Sequence, residues 1–419
     1  MSESPWSRIG WRNVGRHPRR TILTALGLAV GYGAVVFMIG WANGLIAEMV
    51  ENATGLMSGQ IEIHDAEYRP ERSIYDTIGG RDGVDFAALM DRIAEDERTV
   101  GVAPRVFAAG LVSSGEATTA GQLMGIDPER ETGVTRFLEG LAEGRLPEPG
   151  RNEMAIGSEM ARQLESGVGD ELVVVAPGAD GSMGNDLYTV SGIYTTGLVE
   201  LDATNAVLPL PDLQALVMLD PARIHEIVVA TTDPFLADEM ATGVAASLGA
   251  ADLGMEVVSW SELNPTILEF STLMDSFYWI IYLFVFGIAI FGVANTMLMA
   301  TYERRREIAV MLAMGAVPGA IVKSILYEAA AMGLLSLVIG VAISLPPMLW
   351  WYAAPADLSW LYGDMTLQGV LLRPVMRVTL EPASWVGAAV ALFATALLAA
   401  LYPAWRASRV PPADTLSGI

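Results

Sequence analysis

Apolar positions along the chain gather into four long windows, and the stretches between them alternate on shorter periods. The first window runs from Thr21 to Ala42, with Arg19 and Arg20 before it and Asn43-Gly44 after it. The second runs from Phe277 to Ala300 and stops at Tyr302-Glu303-Arg304-Arg305-Arg306. The third covers Ile321 to Leu345, ahead of Pro346-Pro347, and the fourth covers Trp385 to Leu401, ahead of Pro403 and Arg406. A hydrocarbon core about 30 Å thick needs roughly 20 apolar residues in helix, so the pattern predicts four membrane spans. The first window exceeds the apolar region of a cleaved signal peptide, and no small-x-small site follows it, which predicts an uncleaved signal-anchor.

Between the first two windows the pattern changes. Gln60-Ile-Glu-Ile-His64 alternates with period two and reads as a strand. Glu171–Ala176 and Leu187–Tyr194 read as strands flanking the turn-rich Pro177–Asp186, like a hairpin, and Val207–Leu210 and Ile224–Thr231 add two more. Helical spacing appears in Asp85–Glu97, in Ser158–Glu165 with Ser158 as expected N-cap, and in Pro234–Leu248. These alternating elements predict an α+β domain of two lobes, one holding about 115–218 and the other formed by its flanks. After Pro265 nothing breaks a helix before the second span, so one helix of roughly 50 Å is expected there, projecting from the bilayer as a stalk.

The predicted division is an interfacial helix at 1–20, a first span at 21–42, an extracytoplasmic domain with its stalk at 43–276, and a second span at 277–300. A cytoplasmic loop at 301–320, a third span at 321–345, an outer loop at 346–384, a fourth span at 385–402 and a tail at 403–419 complete it. The fold class is therefore an α-helical membrane protein with four transmembrane helices plus a large extracytoplasmic α+β domain between helices 1 and 2.

Charge orients this plan. Arg8, Arg12, Arg16, Arg19 and Arg20 precede the first span; Arg304–Arg306 follow the second; Arg406 and Arg409 follow the fourth. With four spans all lie on one side, which the positive-inside rule makes cytoplasmic, with both termini. Trp6, Ile9 and Trp11 among the first arginines suit a helix lying at headgroup depth. Residues 43–276 carry 12 basic and 40 acidic residues against a whole-chain net charge of −23. Such acidity keeps an exposed domain soluble and argues against nucleic-acid binding.

Candidate chemistry is sparse. The 419 residues include no cysteine, three histidines (His17, His64, His225) and one lysine, Lys323, which follows Val322 rather than a glycine. Thiol chemistry, a cysteine-ligated metal and a Walker A loop of the chain's own are excluded. His64-Asp65-Ala66-Glu67 is a weak metal-ligand spacing, so no metal site is expected, and no catalytic triad or carboxylate pair stands out. Glu328, five residues after Lys323, is the one acid inside a span; both are expected to reach toward the cytoplasmic interface. Gly27, Gly31, Gly33, Gly40 and Gly44 let helices approach closely, and packing against the second span in a dimer is expected.

Glu303-Arg-Arg-Arg-Glu-Ile-Ala-Val-Met-Leu-Ala-Met-Gly-Ala316 resembles the E-[RK]-x-R-E-I-x-x-x-x-x-x-G-A signature of FtsX/MacB-type ABC permeases. Tyr402-Pro-Ala-Trp-Arg-Ala-Ser-Arg-Val-Pro-Pro-Ala-Asp-Thr-Leu416 is similar to the same family's closing motif. Gly144-Arg145, Met154–Ser158, Gly167–Asp170 and Val190–Ile193 resemble its MacB-like periplasmic domain, in order. Asn43-Gly44 and Ser58–His64 lean toward the lipoprotein-releasing LolC/LolE kind; the macrolide exporters carry a fused ATPase absent here.

The resemblance implies a non-catalytic subunit of the bacterial inner membrane. It would bind no cofactor itself, with ATP and magnesium on two copies of a separate ABC ATPase, and it would pair with a second permease, identical or paralogous. It implies ATPase coupling through Glu303, Arg304, Arg305, Arg306, Glu307, Ile308, Met311, Leu312 and Gly315, a short amphipathic segment suited to a partner groove. Phe37, Met38, Trp41, Leu45, Phe277, Ile280, Ile281 and Phe284 are the candidate cavity for acyl chains, where soft Met and broad aromatics accommodate variable lipid. Mechanotransmission to release lipoproteins is the expected activity. Export of a periplasmic peptide, drug or toxin with an adaptor and outer-membrane channel, or regulation of a cell-wall hydrolase, are the alternatives.

Overall fold

A computed structural model describes residues 18–80, 83–357, 360, 365–367, 370–372 and 375–417. The expected interfacial helix at 1–20 lies almost wholly outside the described residues. Two compact units are formed, one from 1–46, 270–358 and 375–419, the other from 47–269 and 359–374.

In chain order, helix α1 (Pro18–Ala53) leads through a π turn into strand β1 (Ile61–Asp65). Helix α2 (Phe86–Ala94) follows, started by Asp85, whose side chain accepts from the amides of Ala87 and Ala88. Strands β2 (Thr99–Ser113), β3 (Thr118–Ile126), β4 (Leu141–Gly144) and β5 (Glu153–Gly157) come next. Helix α3 (Ser158–Leu164) begins on Gly157, so Ser158 is its first residue and not its cap. Strands β6 (Glu171–Pro177), β7 (Met183–Tyr194), β8 (Asn205–Pro209) and β9 (Glu226–Thr231), helix α4 (Ala237–Leu248) and strand β10 (Met255–Ser259) complete the outer unit's main elements.

All ten strands share one sheet, ordered β10-β1-β9-β2-β3-β8-β5-β7-β4, with β6 paired to both β2 and β7. Strands β2, β3, β8, β5, β7 and β6 thereby close into a ring, while β9, β1 and β10 form an open wing. The long β2 (Thr99–Ser113) belongs to both parts and joins them. Its first half, from Thr99 to Arg105, pairs with β9, and its second half pairs with β3 and, at Leu111–Ser113, with β6. Strands β6 and β7 form the expected hairpin, from Glu171↔Thr189 to Pro177↔Met183.

The other unit is helical. Helices α5 (Pro265–Glu303), α6 (Arg305–Ala313), α7 (Pro318–Ala353), α8 (Pro382–Ala407) and α9 (Pro412–Ser417) follow β10. Helices α1, α5, α7 and α8 are long and apolar enough to cross a membrane. Three of the expected ends are corrected by these helices. The first continues through Asn43-Gly44, the third passes through Pro346 and Pro347, and the fourth keeps Pro403 inside. Proline is tolerated in such helices because neighbouring groups re-satisfy the freed carbonyls. Leu28, Tyr32, Val35, Val36 and Ile39 of α1 meet Phe286, Val293 and Met297 of α5, Ile321 and Ile325 of α7 and Leu392 of α8 in one apolar core.

Within the chain, most of the small residues of α1 face the bundle's own neighbours. A Cβ on Gly33 would meet the Cβ of Ser344 at 3.4 Å, and one on Gly31 would meet Val285 of the same chain at 3.2 Å. At Gly44 an added Cβ would sit 2.1 Å from the carbonyl oxygen of Arg377, so only glycine admits that segment there. The segment is pinned by the Thr379 amide, which donates to the carbonyl of Gly40 at 2.9 Å. Only Gly27 among the five has open space beside it.

Candidate functional site

The arginine-rich turn between the second and third apolar helices is built by a break and a cap. Helix α5 ends at Glu303, Arg304 leaves helical geometry with φ −99° and ψ 14°, and α6 starts at Arg305. At the far end Gly315 has φ +96°, its amide donates to Leu312 and the Ala316 amide donates to Met311. That pair of bonds is a Schellman closure, which needs a residue without a Cβ penalty at this position. Pro318 then opens α7 at its first turn, where a missing N–H costs nothing.

Arg304 is the keystone of the turn. Its Nη1 donates to Glu328 Oε2 of α7 at 3.1 Å, and its Nε lies 3.5 Å from Glu307 Oε2. Glu328 is therefore held by Arg304 of the loop that follows the second apolar helix, and Lys323 is exposed. Opposite charges in a half-buried site satisfy each other better than water at the boundary would.

The apolar face of α6 is also corrected. Ile308, at 4 % exposure, belongs to the helix bundle's own core, with Met311 and Leu312 packed against it. Positions i, i+3 and i+4 share one face of a helix, and this face covers the bundle. The exposed side of α6 carries instead Arg305, Arg306, Glu307, Val310 and Met314. Glu303 is exposed at the end of α5, and α6 packs against α9.

The structure does not gather the candidate cavity residues around one enclosed space. Phe37 lies 5.1 Å from the ring of Trp351, and Ile281 packs against the bundle core. Met38, Trp41, Phe277, Ile280 and Phe284 are exposed, and Leu45 is half-buried. The Asn43-Gly44 step has a role of its own beside them. Tyr278 donates to Asn43 Oδ1 at 2.6 Å, and Asn43 Nδ2 donates to Glu381 Oε2 at 2.8 Å, tying α1 to α5 and to the start of α8.

A second polar cluster, inside the outer sheet, was not legible in the sequence. Register places His64 opposite Glu226 and Glu226 opposite Arg105, on one face with Glu62. All four are essentially buried, as are Tyr68 and Glu131. Arg69 holds Glu62 with two bonds of 2.7 Å, and Arg105 holds Glu131, which also accepts from Thr135 at 2.6 Å. Arg72 lies 3.5 Å from the Glu226 carboxylate, and burial, with Glu62 beside it, pushes that carboxyl up to about 8. His225 accepts from the Phe107 amide on Nδ1 and donates from Nε2 to the Ile74 carbonyl; burial lowers it to about 4, so it is neutral. The signal for this cluster is alternation: Glu62 and His64 occupy the same parity of β1, and Tyr68, Arg69 and Arg72 follow within reach. His64 turns into it, with Nδ1 donating to the Asp65 carbonyl at 2.8 Å.

The last turns of α1, from Ala47 on, belong to the outer unit and are held within it by another arginine. Arg136 donates to the Glu51 carboxylate and carbonyl, each at 3.3 Å, and its amide donates to Gly55.

Comparison with known proteins follows the same two parts. Residues 21–246 match the family described as MacB-like periplasmic core domain, and residues 279–412 match FtsX-like permease C-terminal. The chain is 23 % identical to the lipoprotein-releasing system transmembrane protein LolE of Haemophilus influenzae, covering 94 % of this chain and 93 % of that one. It is 25 % identical to LolC of Xylella fastidiosa, over 86 % of this chain and 88 % of that one. Macrolide export ATP-binding/permease protein MacB 2 of Aeromonas hydrophila matches at 24 % over 78 % of this chain, but only 50 % of its own length is covered. Two domain matches in series, four apolar helices and relatives matched nearly end to end leave one conclusion: the chain belongs to the FtsX/MacB-type family of ABC transporter permeases, of the LolC/LolE or MacB kind.

Proposed function

We propose that this permease transmits force, converting closure of two separate ATPase subunits into movement of its outer domain, and that its cargo is a lipoprotein released from the outer leaflet of the inner membrane. ATP and magnesium belong to the ATPases; this chain supplies the lever. Both termini and α6 lie on the cytoplasmic side, and the second permease is a copy of this chain or a paralogue.

One observation carries the reading. Helix α5 runs unbroken for 39 residues, from Pro265 just after β10 to the Arg304 turn. At 1.5 Å per residue that is about 58 Å, nearly twice the hydrocarbon thickness. A continuous helix passes a displacement along its axis without an intervening joint. Helix α1 supports it, being linked to α5 by Thr24 and Thr296, whose hydroxyls lie 3.3 Å apart, and clamped at its other end by Arg136. Force enters through the exposed face of α6, and the Arg304–Glu328 pair passes it to α7. The lipoprotein cargo rests on end-to-end similarity to relatives of that name, and the exposed Met38, Trp41, Phe277, Ile280 and Phe284 are apolar surface for acyl chains, completed by a second permease.

The test is a photo-crosslinker in place of Trp41 in cells, with mass spectrometry of the adduct. An acylated lipoprotein captured without ATP and lost on turnover is the expected result. A peptide or an adaptor would move the cargo to export, and a hydrolase would move the activity to signalling. Capture of span-two peptides from a neighbouring subunit alone would remove Trp41 from the cargo surface.

A further inference from the structure

At the end of the helix bundle that carries α6, a cavity of about 290 Å³ is lined by Tyr302, Arg305, Trp405, Arg406 and Arg409. Tyr302 is in the last turn of α5, and Trp405 and Arg406 are in the last turn of α8. The guanidinium of Arg406 lies 5.1 Å from the Tyr302 ring centroid and that of Arg409 lies 4.4 Å from the Trp405 ring. Arg406 also donates to the Tyr402 hydroxyl at 3.2 Å, and Tyr402 stacks on Trp405. Among the described residues no carboxylate pairs with Arg305, Arg406 or Arg409, whereas neighbouring Arg304 is taken by Glu307 and Glu328. Two of these three cations are thus held over aromatic faces beside the space.

We propose that this cavity binds the phosphodiester headgroup of an anionic phospholipid. Guanidinium forks match phosphate oxygens bidentately, and rings beneath them hold the forks in plane while leaving their N–H edges open. The apolar side chains beside it point to a lipid over a free phosphate. Leu401 and Leu398 stand one and two turns before Trp405 on the same side of α8, Met299 stands one turn before Tyr302 on α5, and all three are exposed. Acyl chains laid along them put the headgroup at the arginines, at the depth where Trp and Tyr gather in membrane helices. Basic pockets between spans on the cytoplasmic side are suited to anionic headgroups; that side rests on the orientation proposed above, whereas the binding itself does not. Bound there, the lipid would bridge the ends of α5 and α8, whose Tyr302 and Arg406 it would share.

Native mass spectrometry of the purified full chain in detergent, titrated with phosphatidylglycerol and separately with phosphatidylcholine, tests it. The wild-type chain should retain phosphatidylglycerol selectively. Arg406→Ala with Arg409→Ala should lower that affinity by about 30-fold, at roughly fivefold per juxtamembrane charge. Arg406→Lys with Arg409→Lys, which keeps the charge and loses the fork, should fall between, and serves if the alanine pair does not fold. Equal retention of both lipids, or equal phosphatidylglycerol binding by wild type and variants, overturns the proposal. Displacement of the lipid by millimolar inorganic phosphate would make this a site for a soluble anion and overturn it too. So would variants that keep the lipid and lose only the ATPase on co-purification, since the cavity would then be a protein contact.

Discussion

Glu226 sits between His64 and Arg105 across three strands, with its Oε1 lacking a hydrogen-bond partner among the described residues. A carboxyl whose folded value is about 8 keeps its proton where an unfolded one, near 4.3, has lost it. Between those values unfolding releases the proton, so stability is greatest at low pH and falls as pH rises toward 8. The neutral His225 gives the opposite slope, but only below its ordinary value of 6.5. Urea unfolding of the full chain from pH 6.5 to 8.5 should therefore show stability falling by about 1–2 kcal/mol up to pH 8. Glu226→Gln should flatten the profile, and a wild-type profile that stays flat would refute the assignment. At the other unit, Gly315→Ala places a Cβ at φ +96° and should cost about 1 kcal/mol of thermal stability, read as a lowered Tm.

Helix α6 has two faces with different tasks, and the two can be separated. Ile308→Asp buries an unpaired charge in the bundle core, so it should destabilise the permease by more than about 3 kcal/mol or prevent its accumulation. Met314→Asp, at an exposed position, should leave the Tm within experimental scatter and weaken co-purification of the ATPase. Equal loss of folding in both variants would mean that α6 has no free face. Arg304→Ala and Glu328→Gln should each lower the Tm, and the double variant should be no worse than the poorer single. Additive losses would dissolve the pair as a link between α6 and α7.

At the scale of the whole molecule the prediction concerns α5. Leu273→Pro interrupts a helix whose value in the proposed mechanism is its continuity, at a cost of about 3 kcal/mol locally. The complex should still assemble and hydrolyse ATP, because α6 begins only at Arg305, far along the chain from position 273, while cargo release is lost. If release persists at the wild-type rate, α5 is not the lever. The outer unit should tolerate the same change, since six of its strands close into a ring through β2 and β6.

The four apolar helices and the mixed outer domain could be read directly from the chain, because a 20-residue apolar run and a two-residue alternation are local patterns that few other structures satisfy. The arginine turn was equally visible, since Glu303–Ala316 lies within one stretch of sequence. Its inward face was not, because amphipathic spacing says that Ile308, Met311 and Leu312 share a side but not which surface that side meets. The helix ends at Pro346-Pro347 and Pro403 misled for a related reason, proline being a breaker in water and a tolerated residue inside a bundle. The glycines of α1 could promise close approach without naming the neighbour, and folding supplied Arg377 and Ser344. Closure of six strands into a ring, the meeting of Glu62, His64, Glu226 and Arg105 in one cluster, and the seating of Arg406 on Tyr302 all join positions far apart in the chain. Pairing of that kind is set by register and packing, which no local window contains, so the chain alone determined its elements and the tertiary structure decided what they touch.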